Sequence, residues 1–169
     1  MPERRPASHL EAKALSHPLR VRLLTMLSTE ELTTSELARR CGENPGTILY
    51  HLRVLVDAGL AETSALRIGA RNSRELPYRS TGKANTMTFR DQPDAGSSVG
   101  EAIMQGALSS YYRAEPSDRF GEAVARIHLT PARLEELQQR LRAVIGEFRN
   151  DEGEAVTMLV AFHHDGQQT

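Results

Sequence analysis

Residues 34–60 read TSELARRCGENPGTILYHLRVLVDAGL, and their pattern decides the fold around them. One amphipathic helix leads into a sharp turn, and a second helix follows and stops at Ala58-Gly59. Ala38, Gly42 and Ile48 occupy the three constrained points of two steeply crossing helices. Ala38 permits close approach, Gly42 supplies the positive φ of the turn, and Ile48 fills the angle between the axes. This spacing is that of a helix-turn-helix, whose second helix lies in the major groove of double-stranded DNA.

The second helix divides into two sides at about 100° per residue. Ile48, Leu49, Leu52, Leu55 and Val56 fall on an arc that faces a core, whereas Thr47, Tyr50, His51, Arg53 and Val54 fall outside it. Residues near the start of such a helix reach bases first, so Thr47 and Tyr50 are the leading candidates for base edges, with Pro45 and Gly46 at the helix start counted among the DNA-contact residues. Arg53 suits a phosphate or a guanine edge, and Val54 suits a thymine methyl or a sugar. His51 is divided evenly between a phosphate contact and an ordinary hydrogen-bonded boundary residue. Thr34 and Ser35 stand where hydroxyl and backbone N–H groups meet a phosphate, although helix capping by Thr34 or Thr33 also explains their chemistry.

Outward from this stretch, residues 10–15 form a short helix and Pro18 opens another at its first position. Leu19, Leu23, Leu24 and Leu27 stripe that second helix. After Gly59, LAETSALRI and RELPYRST flank a tip rich in turn residues, 69–73, which predicts a β-hairpin wing. Arg67, Arg71 and Arg74 place three guanidiniums on the wing, in reach of the DNA backbone. Charge follows the same division. Residues 1–83 hold 13 Lys and Arg against 9 Asp and Glu, while residues 84–169 hold 8 against 13. A basic first half suits a polyanion partner.

HPLRVRLL, residues 34–60 and the wing GARNSRELPYRST together resemble the winged helix-turn-helix of ArsR-like bacterial transcription regulators. The resemblance spans residues 10–82, with His17-Pro18-Leu19-Arg20, Tyr50-His51-Leu52 and Ala58-Gly59-Leu60 in register. It implies a homodimeric repressor on a partly palindromic operator. Two departures accompany it. Leu49 stands where many relatives carry a small hydroxyl residue, and the founding members sense metal through cysteine pairs that this chain lacks. Its single cysteine, Cys41, reads as core packing.

The second half is expected to be a small α+β dimerisation or accessory domain, giving an α+β, predominantly helical chain. The predicted organisation is a DNA-binding domain over 8–83, a strand and linker over 84–98 and the C-terminal domain over 99–169. Strand character is expected at Thr86–Phe89, with Ser98 capping a helix that runs to about Arg113. On that helix Met104, Tyr111 and Tyr112 either line a pocket for an apolar effector or pack as core. AVARIHL and AVTMLVAF read as strands. Between them Thr130-Pro131 opens a long helix whose Leu134, Leu137, Leu141, Val144, Ile145 and Phe148 share one arc, the width of a helix–helix dimer seam, although a helix lying on a small sheet shows nearly the same pattern.

Nothing in the chain marks a catalytic site: there is no serine–histidine–acid set, phosphate-binding glycine loop or carboxylate pair. No cofactor or metal ligand is assigned, and His163-His164-Asp165 and His128 read as polar surface. No segment has the roughly 20 apolar residues of a membrane span, the first 20 residues lack a signal-peptide core, and a lone cysteine suits a cytoplasmic protein. The expected partners are an operator duplex and a second copy of the chain, with a small-molecule effector left open. A winged-helix protein-interaction module is the alternative, followed by a metal-responsive regulator using histidines.

Overall fold

The computed structural model describes residues 5–69, 72–89, 93–119, 121, 123, 125–148 and 153–163. The fold is α+β and mostly helical. Two compact units divide the chain: one is residues 1–114 with 159–169, the other residues 115–158.

In the first unit, β1 (Arg5–Pro6) pairs in parallel with β6 (Met87–Thr88), the strand that follows the wing. Helices α1 (His9–Leu15), α2 (Pro18–Leu27), α3 (Thr34–Cys41) and α4 (Pro45–Asp57) come between them. Their ends are set by local chemistry. Ser8 and Glu11 close a capping box on α1, and Thr33 and Glu36 close another on α3. His17 and Asn44 cap α2 and α4 just ahead of Pro18 and Pro45. Gly42, with φ of 67°, ends α3 in the left-handed region, and Gly59 after α4 has the same φ.

Leu23, Leu37, Ile48, Leu52, Leu55 and Leu60 are fully buried and join α2, α3, α4 and the start of the wing in one core. Arg20 is buried too. It donates through Nε to the Ala14 carbonyl and through Nη2 to the Lys13 carbonyl at 2.7 Å, so its charge sits on the negative end of α1.

The predicted hairpin is present in two antiparallel parts. Strand β2 (Ala61–Thr63) pairs with β5 (Tyr78–Ser80), and β3 (Arg67–Ile68) pairs with β4 (Arg74–Glu75). Leu32 adds a bridge to Tyr78 on the free edge of β5, tying the start of the helix-turn-helix to the wing.

The linker expected over 84–98 is largely helix. A 3-10 turn covers Lys83–Thr86, and α5 runs from Pro93 to Arg113, with Ser98 inside it donating to the Asp94 carbonyl rather than capping. Val99 and Ala102 are buried, and the backbone of α5 comes so close to α2 that a Cβ on Gly106 would lie 3.0 Å from the Pro18 carbonyl oxygen. Burial against α1 and α2 thus outweighs the weak helix propensity of the Gly- and Ser-rich start. The first compact unit extends to Ala114, beyond the boundary at 83 that composition suggested.

The second unit is described by itself. It holds a 3-10 turn at Pro116–Asp118 and α6 (Pro131–Glu147), which Thr130 caps as its sequence predicts. No residue of α6 is buried, so the arc from Leu134 to Phe148 has no covering layer among the described residues. Among the described residues, neither of the two strands predicted in this half is formed. The described part of AVARIHL and all of residues 155–162 are exposed and unpaired in any ladder, since a strand needs a partner edge that one copy of this segment does not present.

The buried side of α4 differs from the sequence arc. His51 is 7% exposed, Val54 packs against the core, and Val56 is 37% exposed. The core therefore centres on the Ile48–Leu55–His51 side of the helix, because α2 and α3 pack against it there. The His51 ring lies 4.5 Å, centroid to centroid, from the ring of His17. Burial, followed by Arg20, holds His17 below the usual histidine range. For His51 burial is again the main cause, with His17 and Arg20 adding to it and Glu43 opposing.

Two outcomes follow from this packing. Gly42→Ala forces a Cβ into a left-handed turn and is expected to lower unfolding free energy by about 1–2 kcal/mol in urea titration. The histidine pair is neutral when folded, so the unfolded chain binds more protons once pH drops below about 6.5. Stability is then fully present above that value and falls as pH decreases toward the depressed folded values. A thermal scan from pH 7.5 to 5.5 should show this loss, and His17→Asn with His51→Phe should flatten it; equal slopes in the two proteins would refute the assignment.

Candidate nucleic-acid interface

The first turns of α4 form an exposed ridge. Asn44 accepts the Gly46 N–H at 2.8 Å, which fixes the start of the helix, and Pro45, Gly46 and Thr47 are all exposed. One turn on, Tyr50 is 62% exposed and held edge-on against His51 with ring centroids 5.1 Å apart. Arg53 is exposed on the same side, and Leu49 is half-buried beside it. This ridge combines hydroxyl, phenol and guanidinium groups, which read base edges and phosphates. His51 and Val54 do not belong to it, since both are turned toward the core.

On α3, Thr34 is half-buried and Ser35 exposed, while Thr33 is the residue that caps. Arg39, which the sequence reading passes over, is exposed there as well. Its neighbour Arg40 is held by two 2.7 Å bonds to Glu30. No sequence period separates those two arginines; the position of Glu30 in the fold does.

The wing arginines part company. Arg67 donates through Nη2 to both carboxylate oxygens of Glu36 at 2.8 Å and through Nε to Glu75 at 3.0 Å. It is exposed, but its guanidinium is committed to two carboxylates and ties the wing to α3. Glu36 in turn is held below the usual carboxylate range, first by the Thr33 backbone N–H and further by Arg67. Part of this was readable, because Arg67 and Glu75 face each other in the hairpin register. Arg74 is exposed on β4, and Arg71 lies outside the described residues.

Cys41 is fully buried, and burial pushes its thiol up, as expected of a packing residue. Among the described residues no three histidine, cysteine or acidic side chains gather as a metal site would require. His128 and His163 are exposed, and His164 and Asp165 lie outside the described residues. Met104 and Tyr112 are exposed on α5 and Tyr111 is half-buried. The groove beside α5 lies instead along Gly106, Ser109 and Arg113. No helix among the described residues is long and apolar enough to cross a membrane.

No curated protein matches the chain. Among solved structures, a similar one is the zinc-dependent MarR family transcriptional regulator AdcR in its Zn(II)-bound state. It is 24% identical over 78% of this chain and 74% of that chain, with a TM-score of 0.33, too loose a likeness to carry an argument about ligand or assembly. Residues 15–64 match a helix-turn-helix domain family, and this segment contains the whole of α2, α3 and α4. The chain carries a helix-turn-helix domain.

Proposed function

We propose that this protein is a sequence-specific DNA-binding transcriptional regulator of ArsR-like type, acting as a homodimeric repressor on a partly palindromic operator in the cytoplasm. The observation that carries the reading is the exposed ridge of α4, a capped helix start followed by Thr47, Tyr50 and Arg53, presented beside a wing. Tyr50 and Thr47 read bases, Arg53 takes a base edge or a phosphate, and Ser35, Arg39 and Arg74 follow the backbone. Homodimerisation is supported by the apolar arc of α6 and the apolar run 155–162, both of which stand open in a single copy. Exposed Val144, Phe148 and Val156 are the large side chains that a second copy would cover. Within residues 99–169 the uncovered apolar surface thereby serves dimerisation, while residues 8–83 contact DNA.

Selection of bound sequences from a random duplex pool tests the reading. The expected result is a palindromic site with half-sites about 10 base pairs apart, centre to centre. Tyr50→Ala should cost about 1–3 kcal/mol on that site and relax the preferred base. Arg74→Ala should weaken all duplexes alike and reduce the salt slope by about 1. Absence of any enriched sequence at moderate salt would overturn the proposal and favour a protein-interaction module.

Arg67 has its own expected outcome. As a strut it acts on wing geometry, so Arg67→Met should weaken binding while leaving the slope of log K against log salt unchanged. A slope lowered by about 1 would make it a phosphate contact instead.

A further inference from the structure

Within the first unit, a groove of about 370 Å³ opens between the start of α2, the first two turns of α4 and the last turns of α5. Its volume lies in the range of small-molecule sites. Its lining mixes apolar surface from Pro18, Leu19 and Gly106 with several hydrogen-bond donors. Arg22 and Arg113 reach in from α2 and α5. Both also donate to the Cys41 carbonyl, and Arg22 adds a 2.8 Å bond to the Arg40 carbonyl. A guanidinium has five N–H groups, so each retains donors beyond these.

The histidine pair sharpens the chemistry. His17 uses Nδ1 to accept the Leu19 N–H at 3.2 Å, which leaves the proton of the neutral ring on Nε2, a second donor type in the lining. His51 also lines the groove, is 93% buried by the complement of its exposure, and its Nδ1 has no hydrogen-bond partner among the described residues. An unpaired buried nitrogen is costly. Thr47 and Ser109 contribute hydroxyls, and Glu43 is the one acidic side chain against two guanidiniums. Thr47 stands in the positively polarised first turn of α4.

We propose that this groove is a binding site for a small anion bearing a carboxylate or phosphate group, held chiefly by Arg113 and Arg22. Thr47 belongs both to the groove and to the exposed ridge of α4, so occupancy alters DNA affinity. That coupling rests on the function proposed above, whereas the binding itself does not.

Benzoate and inorganic phosphate, each titrated into the full chain against chloride at equal ionic strength, are the probes. Histidine ring proton signals report occupancy, and fluorescence anisotropy with the selected duplex reports coupling. One or both anions should shift the His17 and His51 signals saturably, and the one that does so identifies the carboxylate or the phosphate as the group recognised. Arg113→Gln should weaken that binding about tenfold or more. Because Arg113 also holds the end of α3, Ser109→Phe serves as the second variant, filling the groove from an exposed position. Loss of the shifts in both variants supports the site. No shift with either anion, or shifts that persist in both variants, overturns it. Saturable shifts with unchanged duplex affinity overturn the coupling. A chain that selects no duplex yet binds the anion refutes the DNA reading and leaves the groove standing.

Discussion

The left-handed turn at Gly42 and the carbonyls it leaves at the end of α3 hold the angle at which α4 crosses α3. Gly42 donates to the Ala38 and Arg39 carbonyls, while Arg22 from α2 and Arg113 from α5 meet the carbonyl of Cys41. Two cations at a helix C-terminus oppose its partial negative charge and satisfy oxygens that have no helical partner. The ridge of α4 inherits its direction from that junction. So does the wing, since Arg67 bridges it to Glu36 at the other end of the same short helix.

Polar groups in the first unit repeatedly close the ends of helices. Arg20 sits on the end of α1, and Glu11 closes its start while also pairing with Arg5 at 2.5 Å, which holds its carboxyl down to about 2. Short helices of 7 to 13 residues have too little intrinsic stability to stand alone, and these contacts, together with the leucine core, hold α1 to α4 in one arrangement. His51 and Ser64 are exceptions, and His51 is the one on α4. It is buried in the reading helix with one nitrogen unsatisfied, at the edge of a donor-rich groove.

The second unit has the opposite character. Helix α6 forms where its cap and period predict, yet none of its residues is fully buried, and the unit's share of the apolar run, 155–158, finds no ladder among the described residues. Neither pattern is covered by a further layer among the described residues. The helix survives as a helix because its hydrogen bonds are internal, whereas a strand exists only with an edge beside it.

That contrast also marks how far the residues by themselves reach. Helix starts and stops, the turn at Gly42, the hairpin and the exposed Thr47, Tyr50 and Arg53 were legible in sequence, because caps, prolines, left-handed glycines and helical period act within a few residues. The burial of His51 and Val54, the use of Arg67 as a strut, the extension of α5 back to Pro93 and the groove beside it were decided only by tertiary structure. Each depends on a partner distant in the chain: His17 for His51, Glu36 for Arg67, Pro18 for Gly106. Local pattern chose the elements, and long-range packing chose which of their faces meet water, DNA or one another.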